Sequence, residues 1–322
     1  ENGKNENWLC KSCDKKKNSK KIQRSKRRGK RIEEIIIDNT LLSTENMTIE
    51  LDKRRNELHV LNVKAWEGDF TYETVSKLDS SLKKNSTFIK KVKSISNESS
   101  LSILKDIQTL SIEKYLSEVL TSLTEALSKV SKSDDILAAM EIVSALHQRF
   151  TSQFSPMLLV NIMTAMSNPG PTQVMDEKEE TARISRQKNL SKLTMEFYLI
   201  GIFTNLKMCS KDTIPDEILV KYGKSASEPI ILVVLKDLLN YKIKLGNTLV
   251  IVQSFFKRFH HIIYDSNNEL LQFEVRNVLQ QIFTIYTRAI FERLVELKKR
   301  VHQVTEKSKK ASIRTGRILE EN

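Results

Sequence analysis

From about residue 51 onward, apolar positions return at helical intervals. Ile112, Tyr115, Leu116, Val119, Leu120, Leu123, Leu127 and Val130 are spaced by threes and fours, one buried helix face. Ser111 is placed to cap that helix, and Ser133-Asp134-Asp135 breaks and restarts the chain. Ile136, Met140, Val143, His147 and Phe150 form the next face. Ser155-Pro156 reads as a cap followed by a first-turn proline, whose missing N–H costs nothing there. The helix it opens runs along Leu159, Ile162, Met163 and Met166 and is closed by Asn168-Pro169-Gly170-Pro171. The acids Asp176, Glu177, Glu179 and Glu180 suit the start of a fourth helix. That helix is polar to about Lys192 and apolar from Leu193 to Leu206, so its first half is expected to project from the core. Glu228-Pro229 starts another helix, IILVVLKDLLNY, and after Gly246 the run LVIVQSFFKRFHHII is expected as its antiparallel partner.

Two shorter helices precede these, within Glu57 to Asp69 and Leu78 to Lys93. The second has Leu78, Leu82, Phe88, Ile89 and Val92 as its docking side. The last segment, from about Glu269, meets no Gly or Pro until Gly316. It predicts a helix that outruns the body, with apolar spacing through Phe283, Tyr286, Ile290, Leu294, Leu297 and Val301. Consecutive helices with short connections pack antiparallel, and a run of such pairs makes an α-solenoid. The predicted fold is therefore all-α, although no repeat period is visible. Glycine and proline are scarce (8 and 5 of 322 residues), which agrees with long helices. No apolar run approaches the roughly 20 residues of a membrane span, and residues 1–31 lack the apolar core of a signal peptide. Three cysteines make no disulfide framework, which points to a reducing compartment.

Charge divides the chain. Residues 1–32 hold 13 Lys/Arg against 3 Asp/Glu, whereas the rest carries a net charge of only +3 of the total +13. Basicity thus belongs to a tail. Residues 1–46 are expected to be disordered. Met47 is either the true start of the protein, with 1–46 as upstream sequence, or the tail is a genuine extension. Its run Lys15 to Arg31 reads as a solvated tail, a nuclear-import signal or an RNA contact, with no aromatic residue interleaved to stack on bases. Cys10 and Cys13 have the spacing of half a zinc site, and the second pair is missing.

No catalytic constellation appears: there is no phosphate loop, no nucleophile elbow and no paired-histidine zinc motif. The expectation is a non-enzyme without a cofactor or metal. His59, His147, His260, His261 and His302 read as ordinary core-edge histidines. Two basic helices remain as binding candidates for RNA or an acidic partner. One carries Lys83, Lys84, Lys90, Lys91 and Lys93, with Lys77 just before it. The other is the C-terminal end, with Lys298, Lys299, Arg300, Lys307, Lys309, Lys310, Arg314 and Arg317. The plainer readings are a solvated outer face for the first and a helical connector for the second.

Particular wording adds to the pattern. Leu61-Asn62-x-x-Ala65-Trp66 is followed by Leu78-Asp79-Ser80-Ser81-Leu82-Lys83-Lys84-Asn85-Ser86-x-Phe88-Ile89-Lys90-Lys91. Then come SIEKYLSEV (Ser111 to Val119), ALHQRF (Ala145 to Phe150), FYLIGIF (Phe197 to Phe203), LNYKIKLG (Leu239 to Gly246) and IRTGRILEE (Ile313 to Glu321). From about residue 51 to its end the chain resembles the second up-frameshift protein family, the large adaptors of nonsense-mediated mRNA decay, in fungal form. The resemblance implies a HEAT-like middle domain of initiation factor 4G, the first of three in tandem. It implies a cytoplasmic scaffold whose partners, the up-frameshift helicase and the third up-frameshift protein, bind mainly through regions outside this chain. The expected division is a tail over 1–46, N-terminal helices over 51–110, a helical-repeat body over 111–308 and a connector over 309–322. The lack of a polar stop after IRTGRILEEN is read as a longer protein continuing. The same fold also admits a translation-initiation scaffold that clamps a DEAD-box RNA helicase.

Overall fold

The computed structural model describes residues 46–170 and 175–315. The expected tail therefore lies, up to residue 45, outside the described residues, with Cys10, Cys13 and the run Lys15 to Arg31. The chain divides into two units, 1–54 and 55–322, and the described residues 46–54 of the first are helical. The second unit is all-α among its described residues. Its helices are α1 over residues 55–67, α2 Leu82–Val92, α3 Asn97–Thr109, α4 Leu116–Leu127, α5 Ser133–Met166, α6 Glu177–Leu199, α7 Asp216–Tyr222, α8 Ile230–Asn240, α9 Leu249–Tyr264 and α10 Phe273–Thr315. A single isolated bridge pairs Asp79 with Leu110.

Helix α5 is the hub. It takes α3, α4 and α6 as neighbours, α2 lies on α4, and α6 then takes α8 and α9, with α10 against both of those. Two apolar layers result. The first joins α2 to α5 with Leu190, Leu193 and Phe197 of α6 and Ile230, Val233 and Val234 of α8. The second joins Met195 and Leu199 of α6 and Ile231, Leu235 and Leu239 of α8 to α9 and the start of α10. Helices α6 and α8 serve both layers, which is why the second half of α6 and most of α8 bury residues all round rather than on one stripe. The face read from Ile112 to Val130 is buried as expected, apart from half-buried Tyr115.

Several boundaries differ from the sequence reading, each for a local reason. Ser111 caps nothing: its N–H donates to the Asp79 carbonyl, and α4 starts only after a 3-10 turn, Glu113–Tyr115. The predicted second and third helices are both present within α5, separated by a kink at Thr151 (φ 17°, ψ −91°), four residues before the predicted cap Ser155. Pro156 cannot donate to the carbonyl four residues back and crowds it, so the chain yields one turn upstream. Ser155 is then no cap, and its hydroxyl meets His147 Nδ1 at 2.7 Å. Helix α9 has α6, rather than α8, as its main neighbour. Leu82, placed on the docking side of α2, is 65% exposed, whereas Phe88 and Val92 are fully buried.

The first half of α6 does not project. Asp176 and Glu179 form a reciprocal capping box at its start. One and two turns further on, Arg183 and Gln187 are buried. Gln187 Nε2 donates to the Met166 carbonyl (2.8 Å), Arg186 Nε to the Ala165 carbonyl (2.8 Å), and Arg183 Nη1 to Asn168 Oδ1 (3.0 Å). The last carbonyls of α5 have no partner within their own helix, and polar side chains of α6 supply one. α6 also ends at Leu199 and not at Leu206. Gly201, at φ +74°, takes the left-handed position just past the helix. Its N–H donates to Tyr198 O (3.1 Å) and that of Ile202 to Phe197 O (2.9 Å), the paired bonds of a glycine C-terminal cap.

Candidate functional site

The residues that carry the sequence wording around Asn62 and Trp66 hold α1 in place. Asn62 Nδ2 donates to Ser144 Oγ (3.1 Å) and to the Ile200 carbonyl (2.8 Å), and Asn62 Oδ1 accepts from Gln148 Nε2 (2.9 Å). Trp66 Nε1 donates to the Ile202 carbonyl at 3.3 Å, and its ring lies against His147 with centroids 5.0 Å apart. Burial pushes the His147 imidazole down to about 4, against the opposing pull of its contact with the Asn62 carbonyl, so it is neutral in the fold. Arg55 Nη2 reaches Glu196 Oε1 at 2.7 Å with both side chains fully buried, and Arg258 Nε reaches the same oxygen at 2.5 Å. Burial raises the Glu196 carboxyl, but attraction to the two guanidiniums outweighs it and holds the group below the ordinary carboxylate range. One turn earlier, burial and then Arg258 and Lys188 push the Lys192 ammonium down to about 8.

A cleft of about 480 Å³ opens where α1 meets the end of α6. Its walls include His59, Val63 and Trp66 of α1, with Gly201 and Phe203 beyond α6 and Leu270 from the loop after α9. A Cβ on Gly201 would stand 3.1 Å from Val63 and 3.2 Å from His59 Nδ1. The cleft wall therefore needs glycine twice, for its backbone angle and for its lack of bulk. Sequence reasoning missed this site. Its signal was the lone glycine within FYLIGIF, directly after an apolar helix.

The lysines of α2 fall into two groups. Lys83, Lys84 and Lys91 border one hollow together with Asp79 and Asp106, while Lys90 and Lys93 border another with Ser117 and Glu118. Lys84 pairs with Asp79 and Lys91 with Asp106, each at 2.6 Å. The hydrogen bond from Lys84, followed by one from the Ser81 backbone, holds Asp79 below the usual carboxylate range. Lys83, Lys90 and Lys93 are exposed.

On α10 the cations are not divided. Lys298, Lys299, Arg300, Lys309, Lys310 and Arg314 are all exposed on a continuous helix, and Arg317 lies outside the described residues. Among the described residues, Lys309 pairs with Glu306 at 3.6 Å. Cys209 is buried, with its thiol toward the Pro156 carbonyl, and burial raises it to about 11. Among the described residues no group of three or more His, Cys, Asp or Glu could hold a metal ion. No described helix is long and apolar enough to cross a membrane.

No family model matches the chain. It is 39% identical over 278 residues to nonsense-mediated mRNA decay protein 2 of Saccharomyces cerevisiae, across 84% of this chain and 25% of that protein. Over 162 residues it is 33% identical to regulator of nonsense transcripts 2 of Mus musculus, 48% of this chain and 11% of that protein. The chain thus spans about a quarter, or less, of the curated relatives it matches. Among solved structures, the N-terminal mIF4G domain of S. cerevisiae Upf2 superposes with a TM-score of 0.74 at 37% identity, over 84% of this chain and 87% of that one. The first MIF4G domain of human UPF2 shares the fold, with a TM-score of 0.58 at 20% identity over 83% and 85% of the two chains. These neighbours agree with the helical solenoid predicted from the helix pattern.

Proposed function

The chain belongs to the Upf2 family of nonsense-mediated mRNA decay proteins, and from that premise we propose that it is a non-catalytic, cytoplasmic scaffold domain supporting assembly of the up-frameshift helicase complex. The observation that carries this reading is the shared length. A relative described as involved in degrading mRNAs with premature stop codons contributes a domain that this chain matches over 87% of its residues. In this reading the up-frameshift helicase and the third up-frameshift protein bind mainly through regions outside this chain. Residues 51–110 and 111–308 provide spacing and architecture, and 309–322 connect onward. The cations Lys83, Lys90 and Lys93 on α2 and the cluster from Lys298 to Arg314 on α10 serve as auxiliary contacts for RNA or an acidic partner.

The test is the half-life of an mRNA carrying a premature stop in cells whose copy of the gene lacks residues 51–308. Selective stabilisation of that transcript, with bulk translation unchanged, is expected. A fall in global translation without selective stabilisation would overturn the reading in favour of a translation-initiation scaffold.

A further inference from the structure

Tyr286 is the last fully buried apolar residue of helix α10, and half-buried Ile290, one turn on, is the last that packs on the second layer before the helix leaves the body. From residue 291 no described side chain on it is buried, and the helix continues to Thr315. At 1.5 Å per residue that is about 36 Å of helix beyond the core. A solvated helical arm should be polar all round, and this one is not. Leu294 is 60% exposed, Val301 64% and Val304 65%, with Leu297 exposed beside them.

Their spacing is informative. Ile290, Leu294, Leu297, Val301 and Val304 follow one another at four, three, four and three, and Ser308 and Ala311 continue the series. That is the 3.5-residue period of a coiled-coil seam, which keeps one narrow stripe facing a second helix. One flank is equally regular. Arg293, Arg300, Lys307 and Arg314 recur every seventh residue along one edge of the stripe, and Lys298 stands on the other. Of the four, Arg293 pairs with Glu296 at 2.7 Å, while Arg300, Lys307 and Arg314 hold no carboxylate among the described residues. The helix has acids here, Glu292, Glu296 and Glu306, but the heptad register puts all three on outer positions.

We propose that the stripe from Ile290 to Ala311 is a docking seam for a partner helix with an apolar face flanked by Asp or Glu. The inference takes up the reading of the α10 cations as a contact surface and commits it to one kind of partner. The charge pattern argues against a second copy of this chain. In a parallel pair Arg293 would face Lys298, and in an antiparallel pair the seven-residue row of cations would face itself. It also argues against RNA as the main occupant. A phosphate backbone would neutralise the cations and leave the apolar stripe in water, whereas an acidic amphipathic helix satisfies both.

The experiment uses the whole chain and three probes: a peptide of about four heptads with Leu on the seam and Glu on both flanks, its counterpart with Lys on the flanks, and a single-stranded RNA of about twenty nucleotides. Fluorescence anisotropy should show the Glu-flanked peptide binding at least about tenfold more tightly than the Lys-flanked one. The double variant Leu297→Gln/Val301→Gln, in a residue type that favours helix, should lose that binding about tenfold or more while its circular dichroism is unchanged. Arg300→Glu/Lys307→Glu should reverse the preference between the peptides. Equal binding of both peptides, binding indifferent to the Gln pair, or a dimer that the Gln pair dissolves would each overturn the proposal. So would RNA binding tighter than the Glu-flanked peptide's and unaffected by the Gln pair. A normal transcript half-life response with any of these results would leave the decay reading standing and remove only the seam.

Discussion

Helix α6 buries polar side chains, and the outer half of α10 exposes apolar ones. Both reverse the usual pattern of an amphipathic helix, for opposite reasons. The groups on α6 find their partners inside the chain: Arg183, Arg186 and Gln187 serve the end of α5, and Glu196 is held between Arg55 and Arg258. On α10, Leu294, Leu297, Val301 and Val304 are instead exposed. A buried polar residue with every bond made is a feature of folding, whereas a periodic apolar stripe in water is a feature of association. Polarity alone is therefore a poor guide to which helix meets a partner.

Removing the carboxylate from α6 is the strongest way to break this contrast. Glu196→Ala leaves Arg55 and Arg258 facing each other in the core, and a loss of about 3–5 kcal/mol in urea unfolding is expected. A loss below about 1 kcal/mol would mean that the triad is not a structural centre. Acid offers a second route. The His147 imidazole is held down to about 4 by burial, while the unfolded group titrates near 6.5. As pH falls through 6.5 the unfolded state takes up a proton that the folded state refuses. Stability should therefore drop by up to about 3 kcal/mol between pH 6.5 and 4 and level off below, as far as this group is concerned. His147→Gln should flatten that part of the profile. Glu196, with its lowered carboxyl, adds a loss that begins below the unfolded carboxylate value near 4.3.

A smaller effect is expected at the end of α6. Gly201→Ala forces a side chain into a left-handed backbone and against Val63 and His59, at about 1–2 kcal/mol. The thermal midpoint would report it, and an unchanged midpoint would show that the cleft wall can shift. The smallest effect should come from α10. Leu297→Gln with Val301→Gln should alter unfolding by no more than about 0.5 kcal/mol, as exposed positions do. A larger loss would mean that the stripe already packs within the chain.

Much of the architecture was legible because apolar spacing reports directly on burial. The faces of α4 and α5, the start of α8 and the long reach of α10 were all readable this way. The misses share a cause. Ser155 looked like a cap because Ser-Pro is common there, yet its hydroxyl was needed by a histidine two turns away. The first half of α6 looked like a projection because polar residues imply water, and nothing local reveals that they face the carbonyls of α5. Gly201 was overlooked within an apolar run. The lysines of α2 looked like one patch because the acid that pairs with Lys91, Asp106, comes from α3 and only Asp79, which pairs with Lys84, stands in the same stretch of sequence. The heptad flanks of α10 were fully present in the sequence, and only the exposure of the stripe gave them meaning.

The sharing of α6 and α8 between the two apolar layers has a consequence for how the molecule comes apart. In a solenoid whose repeats merely touch, melting can begin at one end and stop part way. Here neither layer can open without withdrawing residues from helices that the other requires. Heat should therefore take the body apart in a single cooperative step, with calorimetric and van't Hoff enthalpies that agree. The arm beyond Ile290 belongs to neither layer, and its amide hydrogens should exchange long before that transition.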